Sequence, residues 1–194
     1  MQIGTNGPVL FGNGHQQNRP QWGKKKGSRN YMKNRRISGV SKETYKVYDE
    51  NGEFKRLIEK AEERTLTEKE WLKGVTCFVI NEKGEVLIEV RANKGLTPGK
   101  KDLCSGHLDD KETETQAMIR ELKEELGTGL EEAMNIIKVT PQGVPLGFES
   151  KGRIKKFFIT FYCLKRKTSK VEIQKEEIDK IVWLPLEEAF ALIK

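Results

Sequence analysis

Three glutamates stand at positions 121, 124 and 125, with Arg120 immediately before the first and Gly127 two residues after the last. Carboxylates at i, i+3 and i+4 share one side of a helix and repel each other, by ~0.2–0.5 kcal/mol per pair when solvated and by more when partly buried. A cation among them removes that cost. Mg2+ suits the task because it is hard, prefers oxygen, and keeps waters while bridging carboxylates to substrate phosphates. A solvated acidic helix face is the competing explanation for a bare E-x-x-E-E. The wider spacing separates the two: Gly106, Glu112, Arg120, Glu121, Glu124, Glu125 and Gly127 spell G-x5-E-x7-R-E-L-x-E-E-x-G. A solvated face gives no reason for a glycine fifteen residues before its glutamates.

The helix that positions these groups is legible at both ends. Thr113 opens it with Gln116 three residues on, the capping-box arrangement, and Gly127 closes it. With Arg120 at zero and about 100° per residue, Glu124, Glu121 and Glu125 fall at about 40°, 100° and 140°. Met118, Leu122, Leu126 and Ile119 follow at about 160–260°. An apolar stripe for the core therefore lies beside an acidic stripe, with the small Ala117 inside the acidic stripe as an open centre.

Around the helix the chain reads mostly as strand. "TYKVYDENGEFKRL" predicts two short strands around the turn "DENG", and "VTCFVINEKGEVLIEVR" predicts a hairpin of 75–80 and 85–91 joined by "NEKG". The run "IEKAEERTLTEKEWL" fits either helix or loop, and "ANKGLTPGKKD" reads as a loop. "NIIKVTPQGVPLGFES" and "RIKKFFITFYCLKRK" predict further strands, and "LPLEEAFALIK" a closing amphipathic helix. This order, mixed rather than regularly alternating, predicts an α/β domain with a mixed sheet.

The box resembles the signature of the Nudix hydrolase family, G-x5-E-x7-R-E-U-x-E-E-x-G-U with U a bulky aliphatic residue. All seven fixed residues match and Leu122 fills the first aliphatic place, while Thr128 stands at the last, a departure that loosens packing behind the helix and leaves the chemistry untouched. The resemblance extends over roughly residues 44–194. It implies a Nudix-type α/β/α sandwich with a loop-helix-loop site in which Glu121, Glu124, Glu125 and the Gly106 carbonyl bind Mg2+ or Mn2+. The catalytic group it implies is Glu121, Glu124 and Arg120, with Arg120 and Glu112 orienting the cluster. It implies hydrolysis of a nucleoside diphosphate linked to another moiety, NDP-X, by water attacking phosphorus, with metal ions neutralising phosphate oxygens and activating water.

Several roles stay open. Glu121, Glu149, Glu176 and Glu177 are candidates for the general base. Arg91, Lys94, Lys100 and Lys101 lie near the loop before the box, where cations could meet substrate phosphates; lysines in such loops are more often only solvated. His107, beside the box glycine, reads as a hydrogen-bonding structural residue. "LCSGHL" also resembles the matching segment of type I isopentenyl-diphosphate isomerase, a Nudix-fold enzyme that uses a cysteine and a glutamate. There Ser105 occupies the cysteine's place, and Cys104, one residue earlier, would point to the opposite face of a strand. The isomerase's further metal-binding histidines have no counterpart, the only other histidine being His15. A non-catalytic nucleotide- or RNA-binding Nudix module is a third reading, which loss of box glutamates would favour; none is lost.

Charge divides the chain. The net charge is +7, yet residues 1–40 contain eight Lys and Arg and no acid, which leaves the remainder with one excess negative charge. That segment is Gly- and Asn-rich without a period, and is expected to be a disordered basic tail, solvated or in nonspecific contact with nucleic acid. Residues 1–31 also fit untranslated upstream sequence, since "KKKGSRN" can be encoded by a purine-rich ribosome-binding stretch before Met32. Residues 41–194 are expected to form the Nudix domain. Three well-separated cysteines offer no C-x-x-C spacing for zinc or redox chemistry, and Cys77 and Cys163, in strand-like apolar runs, read as buried, reduced packing residues. No secretory signal and no apolar run near the ~20 residues of a membrane span are seen, so a cytoplasmic protein is expected, acting on a small-molecule diphosphate away from membranes. A homodimer is common among relatives, while the oligomeric state of this chain is not written in its sequence.

Overall fold

The computed structural model describes residues 43–93, 98–150 and 152–192. The expected tail of residues 1–40, with His15, and the candidate Lys94 lie outside the described residues.

A two-stranded antiparallel sheet comes first, from β1 (Thr44–Tyr48) and β2 (Phe54–Glu59). Asp49 holds the intervening turn, its Oδ1 accepting the Asn51 and Glu53 N–H groups at 2.9 Å. A 3-10 helix, Lys60–Thr65, follows. The polar run that fitted helix or loop is thus the end of β2, this 3-10 helix, and a turn in which Thr67 N–H and Oγ1 donate to Glu70.

The main sheet is built from β3 (Leu72–Ile80), β4 (Val86–Arg91), β5 (Lys101–Asp102), β6 (Cys104–His107), β7 (Ile137–Lys138), β8 (Val144–Ser150), β9 (Arg153–Lys165) and β10 (Ile178–Leu184). Its backbone order is β10-β4-β3-β9-β7, with β5 on β4, β6 on β3 and β8 on β9. The β3–β9 pair is parallel and the others antiparallel, which makes the sheet mixed. Lys101 and Asp102, read as loop from sequence, extend the sheet by pairing with Val90 and Glu89.

Period-two alternation sends side chains to two cores. Val75, Cys77, Val79 and Leu87 meet Met118, Leu122 and Leu126 of α1 (Glu114–Leu126) on one face, where α2 (Leu130–Ala133) adds Ala133. Val86 and Ile88 meet Ala189 of α3 (Leu186–Leu192) on the other. The result is the α/β/α layering expected. Of the two cysteines expected in the core, Cys77 is buried and Cys163 half-buried, and all three are free thiols. Among the described residues no helix is long and apolar enough to cross a membrane.

Candidate active site

Helix α1 is set rigidly before its acids are placed. The Thr113 side chain accepts the Gln116 N–H, Gln116 Oε1 accepts the Thr113 N–H at 2.8 Å, and Gly127 ends the helix at φ 58°. That left-handed conformation favours glycine. Thr128 packs behind the helix at 3% exposure with its hydroxyl unpartnered, where the family's aliphatic residue would leave no such donor.

The acidic stripe is not a solvated face. Glu124 is 55% exposed, Glu121 13% and Glu125 3%, so the three carboxylates descend from solvent into the core. Ala117, expected as an open centre among the acids, is fully buried against the sheet. The buried arc of α1 runs through the acidic stripe as well as the apolar one, Ala117 and Glu125 being buried along with Met118, Leu122 and Leu126.

Arg120 ties the cluster together. It donates to Glu112 through Nε at 3.1 Å and Nη2 at 2.6 Å, to Glu121 at 2.6 Å and Glu124 at 3.3 Å through Nη1, and to the His107 carbonyl at 3.1 Å through Nη2. Glu112 also accepts the Asp109 N–H at 2.9 Å, which anchors the pair to the loop after β6. One guanidinium thereby faces three carboxylates.

Positive charge is short at depth. Burial, outweighing the Arg120 contact, raises the Glu121 carboxyl above its ordinary value. Burial and then the Glu121 charge push Glu125 up to about 8. Among the described residues the one backbone N–H that donates to the Glu125 carboxylate is that of Ser105, at 3.3 Å. Oxygen-rich, buried and under-neutralised, these groups fit a divalent cation. Gly106 adds a spatial argument, since a Cβ there would overlap the Glu121 carboxylate. The glycine fifteen residues upstream leaves open the space that the Glu121 carboxylate occupies.

The structure brings some later candidates to this cluster and leaves others apart. Glu177, just before β10, lies close enough that its charge raises both Glu121 and Glu125, and its carbonyl accepts the Ala92 N–H at 2.8 Å. Glu149 and Glu176 are exposed, and neither is among the charges acting on the box acids. Arg91, at the end of β4, acts on the interior, its charge opposing the rise in Glu89. Lys100 and Lys101 are exposed, with Lys100 Nζ 5.9 Å from the Phe148 ring centre.

Two groups near the box escaped the sequence reading. Glu89, the single charge in "VLIEV", is 1% exposed and sits on the α1 side of β4 with Leu87. Its signal was an acid at an inward position of a strand otherwise apolar on both faces. Glu63, from the 3-10 helix, faces His107 Nε2 at 3.4 Å, outside the geometry of an aligned hydrogen bond. That contact and the Lys155 ammonium at 2.7 Å hold the Glu63 carboxyl down to about 2. The His107 ring stacks on Tyr45 at 4.9 Å and meets Phe157 edge-on at 5.3 Å. No sequence period pointed to this group, because Tyr45, Glu63, Lys155 and Phe157 lie 44 to 62 residues from His107; long-range pairing of β1, β6 and β9 alone assembles it.

An α/β/α-layered domain with a carboxylate-bearing helix over a close-packed glycine strand defines a class, and residues 71–194 match the family model for the NUDIX domain. The chain belongs to the Nudix hydrolase family. Over 111 residues it is 30% identical to an isopentenyl-diphosphate Delta-isomerase from Corynebacterium diphtheriae, a match spanning 56% of this chain and 61% of that protein. Among solved structures, the fold resembles DR0079 from Deinococcus radiodurans, with TM-score 0.58 and 21% identity over 77% of this chain and 86% of the other. It also resembles the MutT protein from Methanosarcina mazei, with TM-score 0.53 and 23% identity over 66% and 88% of the respective chains. These two likenesses are of fold. Members of the family generally use a divalent metal and act on small diphosphates.

Proposed function

We propose that this protein is a Mg2+- or Mn2+-dependent hydrolase that cleaves a diphosphate linkage in a nucleoside diphosphate joined to another moiety, by attack of water at phosphorus. The observation that supports this reading is the descending set of Glu124, Glu121 and Glu125 around Gly106, with a single guanidinium to neutralise them. Glu121, Glu124, Glu125 and the Gly106 carbonyl would hold the cation. When bound, it would neutralise nonbridging phosphate oxygens and lower the pKa of water.

The chain's own groups supply the rest. Arg120, clamped by Glu112, fixes the rotamers of Glu121 and Glu124, so that the carboxylates are oriented before substrate arrives. Glu121 or Glu177 takes the proton from the attacking water, both being acids at the cluster. Lys100 and Lys101, both exposed, would meet substrate phosphates, and the half-buried Arg91 would reach them from the end of β4. The Nudix domain is assigned to residues 41–194, and residues 1–40 carry eight Lys and Arg and no acid.

A second reading, isomerisation of a prenyl diphosphate, is favoured by the 30% identity to the Corynebacterium diphtheriae isomerase. Against it, Cys104 is fully buried, and Ser105 rather than a cysteine precedes Gly106. The test is phosphate or pyrophosphate release, with and without Mg2+, across nucleoside triphosphates, nucleotide sugars, dinucleotides, coenzyme A and prenyl diphosphates, with Glu124→Gln as the blank. Metal-dependent cleavage of one class supports hydrolysis and identifies the substrate. No cleavage, together with conversion of isopentenyl diphosphate to its allylic isomer, overturns the hydrolase reading.

A further inference from the structure

Glu89, Cys104 and Glu125 form a cluster that the box motif does not account for. They come from β4, β6 and α1, and they are 1%, 0% and 3% exposed. Cys104 Sγ and one oxygen from each carboxylate lie within 4.8 Å of one another. Strand alternation explains the meeting: Glu89 points with Leu87 towards α1, and Cys104 pairs with Cys77, whose side chain faces the same core.

The decisive atom is Glu89 Oε1, which is buried and has no hydrogen-bond partner. Arg120 cannot supply one, since all its N–H groups are directed at Glu112, Glu121, Glu124 and the His107 carbonyl. Among the described residues no ion pair reaches Glu89 or Glu125. Burial is the main cause that raises all three groups, with the Glu125 charge adding to it at Glu89 and Cys104 and the Glu121 charge at Glu125.

We infer that Glu89, Cys104 and Glu125 form an inner site for a thiophilic divalent cation of the Zn2+ class, sharing Glu125 with the outer set of Glu121, Glu124 and the Gly106 carbonyl. Two carboxylate oxygens and a sulfur within this span suit Zn2+ or Co2+, whereas Mg2+ takes oxygen ligands only. A bound cation would take Cys104 as its thiolate, the thiol proton leaving to solvent. The sharing of Glu125, though not the existence of the inner site, rests on the proposed metal role of the box.

The test uses untagged full-length protein dialysed with Zn2+ in excess Mg2+ and then freed of loose metal. The wild type is expected to retain about one Zn2+ per chain. Glu89→Gln and Cys104→Ser, each checked for native circular dichroism, are expected to weaken retention by roughly tenfold or more. Replacing Zn2+ with Co2+ should give thiolate-to-cobalt charge-transfer absorption in the wild type and in Glu124→Gln, and none in Cys104→Ser. Zero Zn2+ on the wild type, or cobalt absorption that survives Cys104→Ser, overturns the inner site. If Cys104→Ser does not fold, unaltered Zn2+ retention by Glu89→Gln overturns it equally. Full turnover by Glu124→Gln would sink the box reading alone, because Glu124 is not a member of the inner cluster.

Discussion

Glu70 and Glu125 are both buried carboxylates, at 6% and 3% exposure, and their surroundings drive them in opposite directions. Glu70 receives Arg56 Nε at 3.0 Å and the Thr67 N–H and hydroxyl at 3.0 and 3.1 Å, with Lys55 at 3.6 Å. Arg56 foremost, with the Thr67 donors, holds it down to about 2. Glu125 receives one long N–H bond, and burial beside Glu121 pushes it up to about 8. Burial is common to both. What differs is whether the fold supplies donors: the region from residue 43 to 71 gives Glu70 a guanidinium and two Thr67 donors, while the box, whose Arg120 is spent on Glu112, Glu121 and Glu124, leaves Glu125 with one backbone N–H. A carboxylate satisfied from within is a strut; one left short of charge is poised for something that arrives from outside.

Breaking the under-neutralised side should have the largest effect. Glu124→Gln and Glu125→Gln are each expected to lose at least about two orders of magnitude of turnover, because loss of a ligand weakens stabilisation worth several kcal/mol. Circular dichroism should stay native, and near-wild-type rates in both variants would refute the metal assignment. The reverse pattern is expected of Glu70→Gln: a loss of about 1–3 kcal/mol in stability, seen as a lower urea midpoint, with kcat unchanged. A large fall in kcat there would mean the two regions are not distinct in kind.

Gly106→Ala sharpens the contrast by sterics alone. Its methyl would displace the Glu121 carboxylate without touching charge, and divalent-cation affinity by calorimetry should fall roughly tenfold. Unchanged affinity would show that Glu121 is not held by that close approach.

The smallest effect concerns pH. Glu63 falls from an ordinary 4.5 to about 2 on folding, so its contribution to stability is complete above pH 4.5 and is lost as pH falls through that window. Glu63→Gln should therefore flatten the decline in urea midpoint between about pH 5 and pH 3. An unchanged slope would remove Glu63 from the acid-sensitive contacts.

Local spacing carried much of this protein's design. Thr113, Gln116 and Gly127 announced both ends of α1, since caps act within a few residues, and the hairpin around "NEKG" was visible for the same reason. Glu112, Arg120, Glu121 and Glu124 were identifiable as one group because a helix and its entry loop place them by sequence separation alone. The depth of each acid was not visible. A helical wheel gives angles around an axis and says nothing about which arc the sheet covers, so Ala117 was expected at an open centre and lies in the core.

The composition and motif of this chain were enough to establish a Nudix box, a mixed α/β domain and a charge division at about residue 40. Tertiary structure alone decided that Glu177 rather than Glu149 or Glu176 adjoins the box, that Glu63 and Tyr45 meet His107, and that Glu89 meets Cys104 and Glu125. Each of those meetings joins residues on different elements. Motifs record geometry that one element repeats along its own axis, whereas the order β10-β4-β3-β9 and the placement of β6 against β3 come from burying two apolar faces at once, a balance summed over the whole chain.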